Sequence, residues 1–215
     1  MNNETLWNTR YLNAGEDYLF GTSPSTFLAR RTGLFSQGET AFLVADGEGR
    51  NSVWLAEHGV HATAIDIAPV AVEKARRLAA RIGVCVELVV GDMLAPAWPP
   101  VEIQEKFDWV VGIFIQFVAG AERARQFEVM KQLTRSSGHI LLHGYTEKQL
   151  EFATGGPSTI ENLYTKELLL AAFAGWKVEE LIEYEEDLSE GSRHKGRSAL
   201  IGLLVKKTLK RASKI

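Results

Sequence analysis

Apolar and polar positions along this chain fall into short uncharged runs separated by amphipathic stretches, the pattern of a buried parallel sheet flanked by helices. The clearest unit spans residues 40–66. Thr40-Ala41-Phe42-Leu43-Val44-Ala45 carries no charge and reads as a strand covered on both faces. Asp46-Gly47-Glu48-Gly49-Arg50 breaks the run, Asn51 is placed to cap a helix over residues 52–58, and Gly59 stops that helix. His61-Ala62-Thr63-Ala64-Ile65 then forms a second strand that ends on Asp66.

The alternation continues. Ala68-Pro69 opens a helix to Ile82 that turns Ala71, Ala75, Leu78 and Ile82 to one side. Residues 84–90 are a third strand with Gly91-Asp92-Met93 at its carboxyl end, and Pro96, Pro99 and Pro100 mark a surface loop. Residues 107–113 are a fourth strand, 121–135 a helix with Ala124, Phe127, Met130 and Leu133 turned inward, and 139–143 a fifth strand. Beyond it the pattern changes. Thr154-Gly155-Gly156-Pro157 interrupts the chain, Thr165 starts a helix through Phe173, and residues 177–184 and 198–205 read as strands with no helix between them. Such a pair is antiparallel. The acids from Glu179 to Asp187 protect an exposed edge. The expected fold is α/β, a Rossmann-like doubly wound sheet closed by a C-terminal antiparallel hairpin.

Residues 1–35 lie outside this pattern and are rich in aromatics and arginine, which describes a cap or lid over a domain at 36–206. Ser23-Pro24 predicts a short helix over residues 24–31 presenting Phe27 and Leu28. Trp7, Phe20 and Phe27 suit packing, whereas Arg10 and Tyr18 are better placed to meet a ligand. Residues 207–215, with Lys207, Lys210, Arg211 and Lys214, read as a solvated basic tail.

Candidate chemistry sits where strands end. Gly47 and Gly49 let backbone N–H groups approach a ligand, and a carboxylate at the tip of the second strand, Asp66, accepts hydrogen bonds from both hydroxyls of a ribose or is simply solvated. Asp92 either meets a nucleoside base or belongs to a solvated loop. Phe114, Ile115 and Phe117 follow the fourth strand and surround a reacting centre with apolar surface. His143, ending the fifth strand, is either a base or a core ring with a satisfied hydrogen bond. His58, His61, His139 and His194 show no metal spacing, so no metal is expected.

Composition narrows the class. At 215 residues, 46% hydrophobic and 24% charged, the chain suits one well-buried domain, and a net charge of −3 gives no general attraction for nucleic acid. Cys85 is the lone cysteine, cannot form an intramolecular disulfide, and is expected buried and inert in its apolar run. The first residues lack signal-peptide character and no run reaches membrane-spanning length, so the expected setting is cytoplasmic, with no membrane contact.

Through Trp7-x-x-Arg10-Tyr11, Tyr18-x-x-Gly21-x-x-Pro24, Gly47-Glu48-Gly49-Arg50-Asn51, Asp66 and Thr154-Gly155-Gly156-Pro157, nearly the whole chain resembles the class I S-adenosylmethionine-dependent methyltransferases. Among them it is most similar to the small bacterial proteins grouped with tellurite-resistance and thiopurine methyltransferases. The resemblance implies a seven-stranded sheet and S-adenosylmethionine as cofactor. It implies that Gly47 and Gly49 pass under the methionine part, Asp66 holds the ribose with Asn51 and Ile67 beside it, and Asp92 with Met93 borders the adenine. Phe114 adjoins the cofactor, and Arg10 and Tyr18 close over it. Two positions depart from the family pattern. Leu43 and Ala45 stand where an acid and a glycine are usual, which leaves Asp46 or Glu48 to substitute for the acid. The expected reaction is methyl transfer to a small-molecule acceptor, a thiol or chalcogen compound. The alternatives are an NAD(P)-dependent oxidoreductase, because the glycine turn nearly completes a dinucleotide fingerprint, and a non-catalytic S-adenosylmethionine-binding protein. Acceptor identity and oligomeric state stay open.

Overall fold

The computed structural model describes residues 2–209. Strands β1 (Thr40–Val44), β2 (His61–Asp66), β3 (Glu87–Val90), β4 (Phe107–Ile113), β5 (Thr134–Tyr145), β6 (Lys177–Glu190) and β7 (His194–Lys206) form one seven-stranded sheet in the order β3-β2-β1-β4-β5-β7-β6. The first five run parallel, and β7 lies antiparallel between β5 and β6. Helices α1 (Asn3–Asn13), α2 (Thr26–Ala29), α3 (Arg50–Glu57), α4 (Pro69–Ile82), α5 (Gly120–Leu133), α6 (Gln149–Phe152) and α7 (Lys166–Ala172) complete the chain. This is the doubly wound, Rossmann-like sheet with a terminal hairpin that the pattern predicts. The order reverses between β1 and β4, and a crevice opens there at the carboxyl ends of the strands.

Alternation along the strands builds two cores. Phe42 and Val44 of β1 join Val110, Leu142, Ile201 and the inner faces of α5 and α7 on one side. Ala41 and Leu43 join Leu55 of α3 and Phe27 and Leu28 of α2 on the other. Leu43, 1% exposed, is therefore a core residue.

Several local expectations change. Helix α3 begins at Arg50, because Gly49 itself occupies the cap position with a left-handed φ of 86°. A Cβ there would sit 2.6 Å from Cβ of Ala75, so Gly49 is what lets α3 and α4 approach. Asn51 lies inside the helix, and its Oδ1 accepts from the Ser25 N–H at 2.9 Å. Helix α2 is confined to four residues and is capped by Ser25 rather than Ser23. Strand β3 starts only at Glu87, and Cys85, outside the strand at the sheet margin, is exposed rather than buried. Ala124 is exposed on α5, and Ile115 is buried in the core rather than facing the reacting centre. Lys207 is not solvated: its Nζ donates to Glu105 at 2.8 Å and to Thr134 O at 2.7 Å. Lys210, Arg211 and Lys214 lie outside the described residues.

The largest change is the hairpin. Strands β6 and β7 pair from Lys177↔Lys206 to Glu190↔His194, with one register shift between Val178 and Glu180, through the residues read as a connection. Edge-strand acids hide this pattern, since an edge tolerates charge when partners are near. Arg30 meets Glu186, Arg31 meets Glu180, and Lys148 and Arg197 meet Glu185. At the tip, a Cβ on Gly191 would fall 2.4 Å from the Phe20 carbonyl carbon, so the turn can dock on the N-terminal segment only as glycine.

One buried ammonium anchors that segment. Lys74, on the inner face of α4 and 2% exposed, donates to Asp17 O at 2.7 Å, Tyr11 O at 3.1 Å and Glu48 Oε1 at 3.0 Å. Removing one partner of such a pair leaves the other charge buried and uncompensated. Lys74→Met is expected to lower stability by about 3–5 kcal/mol in urea unfolding. Adding Glu48→Gln should return part of the loss, and strict additivity of the two substitutions would show that the pair is not coupled.

Candidate active site

A cavity of about 720 Å³ opens at the carboxyl ends of β1, β2, β3 and β4, with residues of α1 and the turn after it among its walls. Gly47, Asn51, Asp66, Ile67, Asp92, Met93 and Phe114 all line it, together with Trp7, Tyr11, Phe20, Asp46 and His194. Gly49, Arg10, Tyr18 and His143 do not. Gly49 is taken up by helix packing. Arg10 lines a neighbouring cavity, and Tyr18 faces an outer groove with its hydroxyl donating to Lys74 O at 3.0 Å.

Two carboxylates stand at the crevice floor. Asp66 Oδ2 accepts from the Gly47 N–H at 2.8 Å and Oδ1 from the Ala68 N–H at 2.9 Å, so this side chain braces the glycine turn against the start of α4. Burial pushes its carboxyl pKa up although these N–H donors oppose it. Asp46 is half-buried as a residue, yet its Oδ2 is buried and has no hydrogen-bond partner. Burial raises its pKa to about 7, with Asp66 adding to the rise and Ser52 and Arg50 opposing it. Glu48 is committed to Lys74, so of the two acids beside Gly47 it is Asp46 that keeps a buried oxygen without a partner. Asp92 is exposed at the rim, its Oδ1 accepting from Leu94 N–H at 2.8 Å.

A second chamber of about 590 Å³ adjoins the first and shares Asn3, Trp7, Phe20, Phe114, Phe117 and His194 with it. Its remaining wall includes Gln116, Tyr145, residues 154–159 and Asn162. The partition is a stack of rings. His194 lies 4.2 Å from the Phe114 ring at 20° and 4.7 Å from the Phe20 ring at 26°. Its Nδ1 is 2.6 Å from the Tyr145 hydroxyl. Gln116 holds Tyr145 in turn, accepting from its N–H at 2.6 Å and donating to its carbonyl at 2.8 Å. Burial, with Arg50 nearby, pushes the His194 pKa down to about 3, so the ring is neutral.

His143 takes the second of its two expected roles, a core ring rather than a base. It lines neither chamber and is 1% exposed, stacked on Phe27 at 4.1 Å, with Nε2 2.9 Å from the Tyr184 hydroxyl. Burial holds its pKa well below the usual histidine range. A ring without access to the chambers cannot take a proton from an acceptor there. The histidine that does face both chambers, His194, was hidden in a stretch whose charges and glycines describe a loop. Among the described residues no group of three His, Cys, Asp or Glu side chains is placed to hold a metal ion.

Strain marks the same place. Ala45 after β1 and Phe114 after β4 adopt left-handed φ values of 49° and 57° on neighbouring strands, and both line the crevice. An L-residue in that region costs roughly 1–2 kcal/mol, of which glycine's extra unfolded-state entropy would return about 0.4–1 kcal/mol. Ala45→Gly is therefore expected to stabilise the protein by roughly 0.5–1 kcal/mol in thermal or urea unfolding. A loss of stability would show that the Ala45 methyl packs better than its backbone is strained.

Comparison with known proteins agrees with this architecture. Residues 43–138 match a family described as a methyltransferase domain. No relative among curated protein sequences matches the chain. Among solved structures, a protein studied in the conversion of a disulfide bond into a thioacetal group during echinomycin biosynthesis aligns over 99% of this chain and 94% of its own, with TM-score 0.79 and 16% identity. TehB from Haemophilus influenzae aligns over 94% of this chain and 67% of its own, with TM-score 0.69 and 15% identity. A TehB-like S-adenosylmethionine-dependent methyltransferase from Corynebacterium glutamicum aligns over 95% and 98%, with TM-score 0.62 and 15% identity. At such identities the likeness is one of fold. The antiparallel β7 and the domain match set aside the nicotinamide alternative. Residues 43–138 thus carry the signature of a methyltransferase domain, set in a fold that the chain shares with S-adenosylmethionine-dependent methyltransferases.

Proposed function

We propose that the protein transfers a methyl group from S-adenosylmethionine to a small, soft acceptor, a thiol or chalcogen compound, rather than to nucleic acid. The observation that carries this reading is the pair of chambers meeting at one aromatic wall, the first acidic and the second bounded there by Phe20, Phe114, Phe117 and Trp7. The crevice residues suit the cofactor. Asp46, with an unpartnered oxygen and a raised pKa, is complementary to a cationic group, and Asp66 retains lone pairs for ribose hydroxyls beside Asn51 and Ile67. Asp92 and Met93 would border the base, with Gly47 and Phe114 flanking the remainder. The cofactor supplies an electrophilic methyl carbon on a positively charged sulfur.

The protein's share is alignment and exclusion of water. No base is required for a thiol, which is already partly ionised near neutral pH, and neither His143 nor His194 is suited to be one. Polarizable sulfur or selenium is tolerated well by aromatic surface. The fold neighbour studied in disulfide-to-thioacetal conversion adds a sulfur precedent on this architecture. The departures at Leu43 and Ala45 do not favour a non-catalytic binder: Leu43 is core, and Asp46 offers the missing carboxylate.

Two measurements test the reading. Asp46 is half protonated near pH 7 in the free protein, and a cation favours its carboxylate, so cofactor affinity should rise as pH passes upward through about 7. Calorimetry between pH 6 and 8 should register proton release near pH 7, and Asp46→Asn should abolish that component; a wild-type profile matching the variant's would remove Asp46 from the site. Separately, a labelled methyl-transfer panel of thiols, selenols, phenols, amines, RNA and DNA should label thiols and selenols most strongly. Labelling of RNA or an amine with none of the thiols or selenols would overturn the acceptor assignment and leave the cofactor assignment standing.

A further inference from the structure

The two chambers differ in charge. The first is lined by Glu4, Asp46, Asp66, Asp92 and Glu122 against Arg50 alone, and Arg50 is itself ion-paired with Glu190 at 2.8 Å. The second is lined by Arg10 and Arg193 and by no aspartate or glutamate. Neither arginine has a carboxylate partner among the described residues. Arg10 lies over the Trp7 ring, 4.7 Å from its centroid, and both arginines are exposed. They approach the chamber from different elements, Arg10 from α1 and Arg193 from the β6–β7 turn that docks on Phe20.

A guanidinium is permanently charged and presents its donors in a planar fork that matches a carboxylate. Two of them at the rim of a concave site whose own lining holds no acid attract anions and repel cations, while Glu16 and Asp17 lie in the outer groove that the same two arginines border. Inside, the chamber offers neutral groups: Gln116, Tyr145, Thr154, Thr159, Asn162 and the uncharged His194. We propose that the second chamber takes an acceptor bearing a carboxylate, or an equivalent anionic group, held by Arg10 and Arg193, with its soft atom against the Phe114–His194 wall. This rests on the methyltransferase reading above and specifies the substrate class of the same site. The charge pattern is reciprocal. An acidic chamber for a cation and a basic chamber for an anion place opposite charges on the two sides of one wall, so each ligand is disfavoured in the other's place.

The test separates binding from turnover. With the protein saturated by S-adenosylhomocysteine, calorimetry compares 4-(methylthio)phenylacetate with its amide, and kinetics compare 4-mercaptophenylacetate with its amide as acceptors. The acids should bind about tenfold or more tightly and show correspondingly lower KM, as expected for a charge-assisted hydrogen bond. Added salt should shrink the preference. Arg10→Gln and Arg193→Gln should each narrow the ratio between acid and amide, and Arg193→Lys should restore part of it. Equal affinity for acid and amide, a preference untouched by either arginine variant, or no binding of either compound would overturn the proposal. Binding of the acid without methylation of any thiol would leave the proposal standing and remove the thiol reading.

Discussion

A buried ammonium holds the ligand end of this molecule together. Lys74 reaches from the inner face of α4 to the Glu48 carboxylate and to the carbonyls of Tyr11 and Asp17. Such a pair adds little net stability, because desolvation of both ions offsets their attraction; its strength lies in what it forbids. Any arrangement that lifts α1 off α4 strands a charge in the interior. Residues before the sheet are thereby held against it, and Trp7 and Phe20 become walls of both chambers and Tyr11 a wall of the first. Phe27 and Leu28 extend this attachment of the N-terminal segment into the sheet's core.

Strand order supplies the crevice, and local backbone shapes it. Where β1 and β4 diverge, Ala45 and Phe114 turn left-handed, at an energetic cost that the surrounding packing must over-determine. Phe114 is held by the Phe114 N–H to His143 carbonyl bond at 2.8 Å and by rings on three sides, those of His143, Tyr145 and His194. His143 thus acts on the site through Phe114, as a buried support, while Asp66 similarly supports Gly47.

The parallel sheet was legible because strands buried on both faces carry charge only near their ends, and β1, β2 and β4, with Asp66 and Asp108 at such positions, stand out for that reason. Asp66, Asp92 and the glycine turn were legible because ligands gather where such strands end. What stayed hidden depended on partners distant in sequence. The long β6–β7 pairing reads as a loop because Glu183, Glu185, Glu186 and Asp187 look solvated until Lys166, Arg30, Lys148 and Arg197 are seen beside them. Lys74 looks like an outward-facing residue of a helix rich in arginine. Cys85 looks buried because its neighbours are valines, yet it lies just before a short strand at the edge of the sheet, where its side chain is exposed. Gly49 presents itself as a ligand glycine, whereas the close approach it permits is that of one helix to another.

His194 shows how much a site can depend on a residue without a recognisable signal. Its ring separates the chambers, and its protonation state follows from where it sits: enclosed by Phe20 and Phe114, near Arg50, with a pKa of about 3. At ordinary pH the wall is neutral. In the proposed reaction a positive ring there would oppose a sulfonium on one side and would compete with Arg10 and Arg193 for an anion on the other. A neutral ring does neither, and it still offers a flat polarizable face to a soft atom. The Tyr145 hydroxyl fixes the imidazole's orientation through Nδ1, and Gln116 fixes Tyr145, so the wall keeps its position without any charge of its own. The proposed reaction, which joins a sulfonium to an anion, gains from such a surface, because its transition state disperses charge and needs geometry more than a proton carrier.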